Sequence, residues 1–310
     1  MKSSFYLLLV PVLLTGCLAP MDDPTRVHDL RVLGVNLSPP ELMAPSCGLS
    51  PEALRVFSSP VRLTALVTDP AGEGRAVRFQ LFACAAVGDR DCMGDRVTLQ
   101  EGELTVDPAV GYTEVPLTVR PALAVLPDNT PLIQRVFDED VYKGLGGLRI
   151  PLVLHLTAGG EEIWAQKLMV YSCAFFPESR QNVNPELPGV LLNEAEWGAT
   201  DVPTVGKAQA PFKLRMLDFS DREEDYVVPS FELSPVFLHE SWKVNWYSTL
   251  GSFSPGQTGG TNFVGEESKS FTEWRPPHDA TEQDVQFWMV TRDGRGGMSW
   301  MTRRLHYKPD

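Results

Sequence analysis

Beyond residue 14 the chain contains no long apolar run, so nothing in its body reads as a membrane-spanning helix. Basic charge is also scarce. The 27 Lys and Arg residues stand against 40 Asp and Glu, a formal charge of −13. That balance argues against a nucleic-acid partner and against an electrostatic grip on anionic lipid. The local signatures of common chemistries are missing too: there is no Gly-x-Ser-x-Gly elbow, P-loop or dinucleotide fingerprint. His239-Glu240 begins like a zinc-protease motif, but position 243 is Lys and the second ligand is lacking. The other histidines, His28, His155, His278 and His306, are scattered and read as structural or solvated. The acidic run with Asp221, Glu223, Glu224 and Asp225 lacks the spacing of a calcium loop and reads as a charged solvent loop. These absences lead us to expect a protein that is not an enzyme and needs no cofactor or metal.

The N-terminus is the most specific stretch. Lys2 precedes an apolar segment over residues 5–14, the layout of a secretory signal and too short to span a bilayer stably. Leu14-Thr15-Gly16-Cys17 then resembles the lipobox of bacterial lipoproteins. The resemblance implies acylation of Cys17, with residues 1–16 as a lipoprotein signal peptide and 17–27 as a lipidated tether. Loss of Lys2 takes the charge from −13 to −14 (−13 − 1). Several acyl chains on one residue hold firmly where a single chain does not, so the membrane becomes a partner through the lipid alone. We therefore expect a lipid-anchored cell-envelope protein. Leu18, standing where some lipoproteins carry an inner-membrane Asp, favours the outer membrane.

Four further cysteines suit an oxidising compartment: Cys47, Cys84, Cys92 and Cys173. Four allow three pairings. Cys84 and Cys92 flank a short polar excursion and read as a local bridge, which leaves Cys47 to join Cys173. The spacing is not that of a zinc site.

Period-two alternation recurs over residues 61–67, 77–82, 112–119 and 148–156, the mark of half-buried antiparallel strands. Residues 130–144 have near-helical spacing instead, with Thr130 as N-cap, Pro131 in the first turn and Gly144 at the exit. The acidic run 138–140 reads as its solvated face. A loose repeat is visible: 61–69 corresponds to 212–221, 77–84 to 242–249, and each half ends in a glycine-turned hairpin, the last turn shaped by Asp293. Pro177, Pro185 and Pro188 break the pattern between the halves and read as a linker. The expected class is all-β: two tandem immunoglobulin-like β-sandwich domains, 28–175 and 189–310, joined by linker 176–188, with a short helix inserted in the first.

Leu30-Arg31-Val32-Leu33 running into Ser38-Pro39-Pro40-Glu41, followed by 61–70, resembles the opening of an immunoglobulin-like repeat in bacterial surface lipoproteins. Asn182-Val183-Asn184-Pro185, Trp246-Tyr247-Ser248-Thr249-Leu250-Gly251 and Arg292-Asp293-Gly294-Arg295-Gly296-Gly297 are similar to patterns in the same group. The resemblance implies a fold and a location and carries no catalytic residue.

Aromatic residues crowd the second half. Trp246 and Trp288 are placed to be core tryptophans between the sheets. Tyr247 and Trp274 are the expected members of an exposed binding face. The function read from the sequence is binding, adhesion or scaffolding in the envelope, toward a protein or a glycan partner. The alternative is a carbohydrate-binding lipoprotein using those aromatics.

Overall fold

The computed structural model describes residues 23–48, 50–260 and 269–309. The signal peptide and Cys17 lie outside the described residues.

In the first half the strands are β1 (Arg31–Ser38), β2 (Glu41–Ala44), β3 (Val61–Thr68), β4 (Ala76–Cys84), β5 (Arg96–Thr105), β6 (Tyr112–Val119), β7 (Leu148–Ala158) and β8 (Glu161–Cys173). They form two sheets, β1-β3-β6 and β2-β8-β7-β4-β5. Alternation sends Val61, Leu63, Ala65 and Val67 from one sheet, and Ile150, Leu152, Leu154 and Leu156 from the other, into one shared core. Two sheets closing on one core make a sandwich. Its strand order, β1-β3-β6 facing β2-β8-β7-β4-β5, is immunoglobulin-like.

The second half contributes β9 (Val190–Leu192), β10 (Ala195–Glu196), β11 (Thr204–Gly206), β12 (Phe212–Met216), β13 (Asp225–Pro229), β14 (Pro235–His239), β15 (Lys243–Ser248), β16 (Ser252–Ser254), β17 (Gln257–Thr258), β18 (Thr272–Arg275), β19 (Gln283–Arg292) and β20 (Met298–Lys308). Sheets β10-β9-β12-β18-β16 and β11-β20-β19-β15-β17 enclose a second core of Trp246, Trp274, Phe212, Phe287 and Tyr307. The proposed internal repeat is visible in the topology. β3 and β12 hold the same place in the two sandwiches, as do β4 and β15, and a parallel strand flanks each final hairpin (β2 on β8, β11 on β20). Hairpin β13–β14 belongs to neither sandwich and pairs only with itself.

Two helices interrupt the strands. The expected helix over 130–144 is shorter, α2 (Leu132–Glu139), and Pro131 rather than Thr130 stands at its N-cap without a side-chain cap. Leu132 and Val136 are buried against the first core, while Asp140 leaves the helical region and ends it. A helix not read from the sequence, α1 (Pro51–Phe57), starts where Ser50 Oγ accepts from Ala53 N at 3.0 Å and Pro51 fits the first turn. Both expected bridges are present, Cys84–Cys92 and Cys47–Cys173.

The halves are docked through a third apolar cluster. In β19, Phe287 and Met289 enter the second core, while their neighbours Trp288 and Val290 point the opposite way. There they meet Leu33 and Leu66 on the outer face of β1 and β3, together with Val27 and Met298. Trp288 is therefore fully buried, but between the halves and not between two sheets of one sandwich as expected. Tyr112 stacks edge-on against it with ring centroids 6.0 Å apart. Val27 has no solvent exposure and its N donates to Ser248 O at 2.8 Å, so the end of the expected tether is part of the fold.

Candidate functional site

Residues 176–188 form no strand or helix, yet they are not a loose connector. Asn182 N donates to Glu41 Oε2 at 2.6 Å and its Nδ2 to Asp293 Oδ2 at 2.9 Å. Asn184 Nδ2 reaches Leu37 O at 2.8 Å, and Asn184 Oδ1 accepts from Met298 N at 3.0 Å. Each asparagine thus bonds to both halves and fixes their relation.

Beside this seam lies a cleft of about 1040 Å³. One wall is β2 and β8 of the first half, the other is hairpin β13–β14, and the turn between β19 and β20 forms its floor. That turn is shaped as the sequence suggested. Asp293 Oδ1 accepts from the backbone N of Arg295, Gly296 and Gly297 at 2.7, 2.9 and 2.9 Å. Gly297 is obligatory there, because a Cβ would lie 2.0 Å from Asp293 Oδ2 and 2.7 Å from Val183 O.

The turn projects Arg295 into a crowd of carboxylates. Its guanidinium is 3.2 Å from both Glu224 and Glu240 and 3.8 Å from Glu41, and it donates to Arg180 O at 3.1 Å while lying 4.3 Å over the Tyr226 ring. One arginine therefore ties the base of the β13–β14 hairpin to the first half. Burial and the neighbouring Glu240 raise the Glu224 carboxyl above its ordinary value, against the pull of Arg295. The run read as a solvent loop is thus partly structural: Glu223 accepts from Trp242 N at 2.6 Å, Glu224 holds Arg295, and Asp225 opens β13.

Lys167 is the unusual group. It is buried, its Nζ donates to Gly296 O across the seam, and burial lowers its pKa to about 8. Nearby Asp293 pulls the value up and Arg292 pushes it down. The cleft carries six cationic side chains (Lys143, Arg149, Lys167, Arg180, Arg292, Arg295) and one carboxylate, Glu41, in a chain of charge −13. Among the described residues only Arg295 of the six has a carboxylate partner. Lys143, Arg149 and Arg180 donate to backbone carbonyls.

The hairpin that walls the cleft is apolar on its exposed side. Phe231 at its tip is 79% exposed and Phe237 is 68% exposed. Phe231 nevertheless crosses to the first half, where its ring lies 5.5 Å from Tyr142.

The aromatic face expected on Tyr247 and Trp274 is not there. Trp274 has no solvent exposure, and its Nε1 donates to Leu250 O at 2.7 Å. Alternation along β18 points Thr272 and Trp274 inward together, against Phe212 and Phe287. Tyr247 is half-buried against the cluster that joins the halves. Trp274 offers no ring to a sugar. His155 stacks on Trp164 with centroids 3.8 Å apart, and His239 and His306 are paired with carboxylates, which raises both above their ordinary pKa. Among the described residues no group of three His, Cys, Asp or Glu converges as a metal site.

No protein-family model matches the chain, and no curated protein matches it. Among solved structures the chain is similar to red sea bream transglutaminase (11% identity, TM-score 0.26, 91% of this chain and 32% of that one). It is also similar to Escherichia coli alpha-2-macroglobulin (10% identity, TM-score 0.24, 93% and 22%). A third likeness is to the two tandem V-type regions of a chitin-binding protein, VCBP3 (11% identity, TM-score 0.22, 90% and 100%). The chain spans about a third of the transglutaminase and about a fifth of the macroglobulin. None of these likenesses carries a functional reading.

Proposed function

We propose that the chain is a lipid-anchored envelope protein that acts by binding, with the cleft at the junction of its two sandwiches as the binding site. The observation that carries the reading is that cleft. It is concave, large enough for a ligand, mixed in apolar and polar character, and set at a junction held by Asn182, Asn184, Arg295 and Trp288. The lipobox-like Leu14-Thr15-Gly16-Cys17 supports the anchor.

A photo-crosslinking residue placed at Val228, on the cleft wall, tests the binding site in intact cells. We expect an adduct from Val228 and none from Thr98, an exposed position on β5 remote from the cleft lining. Adducts from both positions alike, or from neither, contradict the assignment. Metabolic labelling with a palmitate analogue tests the anchor: Cys17→Ser should abolish it, and unchanged labelling contradicts it.

A further inference from the structure

The cleft is amphipathic, and its charge is opposite to that of the protein around it. Its cations gather at the turn between β19 and β20. Lys167 Nζ bonds to Gly296 O, with Asp293 near enough to favour its charged form and Arg292 near enough to oppose it, and Arg180 O accepts from Arg295. Lys167 and Arg292 have no carboxylate within ion-pair distance among the described residues. Elsewhere the lining is apolar: Phe57, Phe137, Leu145 and Leu148 on the first half, Val228 and Leu238 on the hairpin. Cations left partly desolvated with no carboxylate at ion-pair distance gain from an anion that enters the cleft. Arg295 is neutralised by its carboxylates, but the other five cations have none at ion-pair distance among the described residues, which favours an anionic occupant over a cationic one. A cleft of about 1040 Å³ is close to the largest small-molecule sites, about 1,000 Å³, which favours a compact ligand over a second folded protein.

Resting on the binding reading above, we infer that the cleft takes an anionic amphiphile, a single carboxylate or phosphate head on a hydrocarbon body. The head meets Lys167 and Arg292 at the turn, where a charge-assisted hydrogen bond to an oxyanion is at its strongest in a partly buried site. The body runs between Phe137 and Leu148 on one side and Val228 and Leu238 on the other. The Phe231–Tyr142 contact closes the hairpin over it.

The test is calorimetric titration of a soluble chain beginning at Leu18, which keeps every residue the structure describes. The probes are dodecanoate, dodecyl phosphate and dodecyltrimethylammonium, each below its micelle concentration. We expect one-to-one binding of at least one anionic probe, at least tenfold tighter than the cationic one. Lys167→Met and Arg292→Met, which keep length and remove charge, should each weaken it at least tenfold while both disulfides and a single cooperative urea transition are retained. Binding of dodecanoate alone assigns a carboxylate head, and of dodecyl phosphate alone a phosphate head. Equal affinity for cationic and anionic probes, no binding of any probe, or affinity indifferent to both substitutions overturns the ligand class. Adduct formation from Val228 in cells is independent of these probes, so the binding-site reading stands or falls separately.

Discussion

Replacing Lys167 by Met should stabilise the protein near neutral pH, an unusual outcome for a buried residue that bonds across a seam. Burial lowers the amine from the ordinary lysine value of 10.5 to about 8. At about 1.4 kcal/mol per pH unit, that difference corresponds to about 3 kcal/mol of cost for holding the charged form in the fold. Removal of the amine also forfeits its bond to Gly296 O, about 1 kcal/mol net. The expected gain is about 2 kcal/mol near pH 7. Because the folded value is the lower one, the unfolded chain holds more protons between about pH 8 and 10.5, and wild-type stability on this group's account rises across that window. The variant lacks that rise, so its advantage should fade as the pH approaches 10.5. Asp293 and Arg292 are the charged groups that act on the amine, and neither is altered by the substitution. Urea unfolding of both proteins near neutral and near alkaline pH measures the difference. A variant less stable at neutral pH, or a difference that does not change with pH, refutes the reasoning.

Three further outcomes are expected. The Cys47–Cys173 bridge closes 126 residues and Cys84–Cys92 only 8, so chain entropy predicts a cost of about 5 kcal/mol for losing the first and about 2.5 kcal/mol for the second. Equal urea midpoints for the two Cys-to-Ala double variants would contradict this. Trp288→Ala removes the largest side chain at the seam and should cost about 3–5 kcal/mol, with an increase in the radius of gyration by small-angle scattering as the halves loosen. A cost below about 1 kcal/mol would mean that the seam is not packed as described. Arg295→Met leaves Glu41, Glu224 and Glu240 facing one another and should cost about 3–5 kcal/mol near neutral pH, and less in acid as the Glu224 carboxyl, held above its ordinary value by burial and Glu240, protonates. A cost that grows on acidification would argue against it.

The sandwiches were legible because alternation is a local property. Val61, Leu63, Ala65 and Val67 announce one buried face in any fold that half-buries the strand. The two bridges were legible from the cysteine count and the short loop between Cys84 and Cys92. Which face of a strand meets which neighbour was not. Trp288 and Phe287 are adjacent and both fully buried, in different clusters, and period two cannot say that the outer face of β19 would be covered by β1 and β3. The same limit misplaced Trp274, whose burial depends on where β18 pairs with β12 and β16. The cleft was invisible for a stronger reason. Lys167, Arg180 and Arg292 come from separate segments and converge only once the halves dock. One signal was present and unread: Pro235-Val236-Phe237-Leu238 is an apolar run with no counterpart in the first half, as expected of a hairpin added outside the sandwich.

Native mass spectrometry of the full chain purified from the cells that make it is the most direct test that the junction cleft is a binding site. The account predicts a non-covalent mass retained by the wild-type chain, anionic when expelled, and absent from the Lys167→Met, Arg292→Met double variant with its disulfides intact. A wild-type chain that carries nothing, or a bound mass that the double variant retains undiminished, would contradict it.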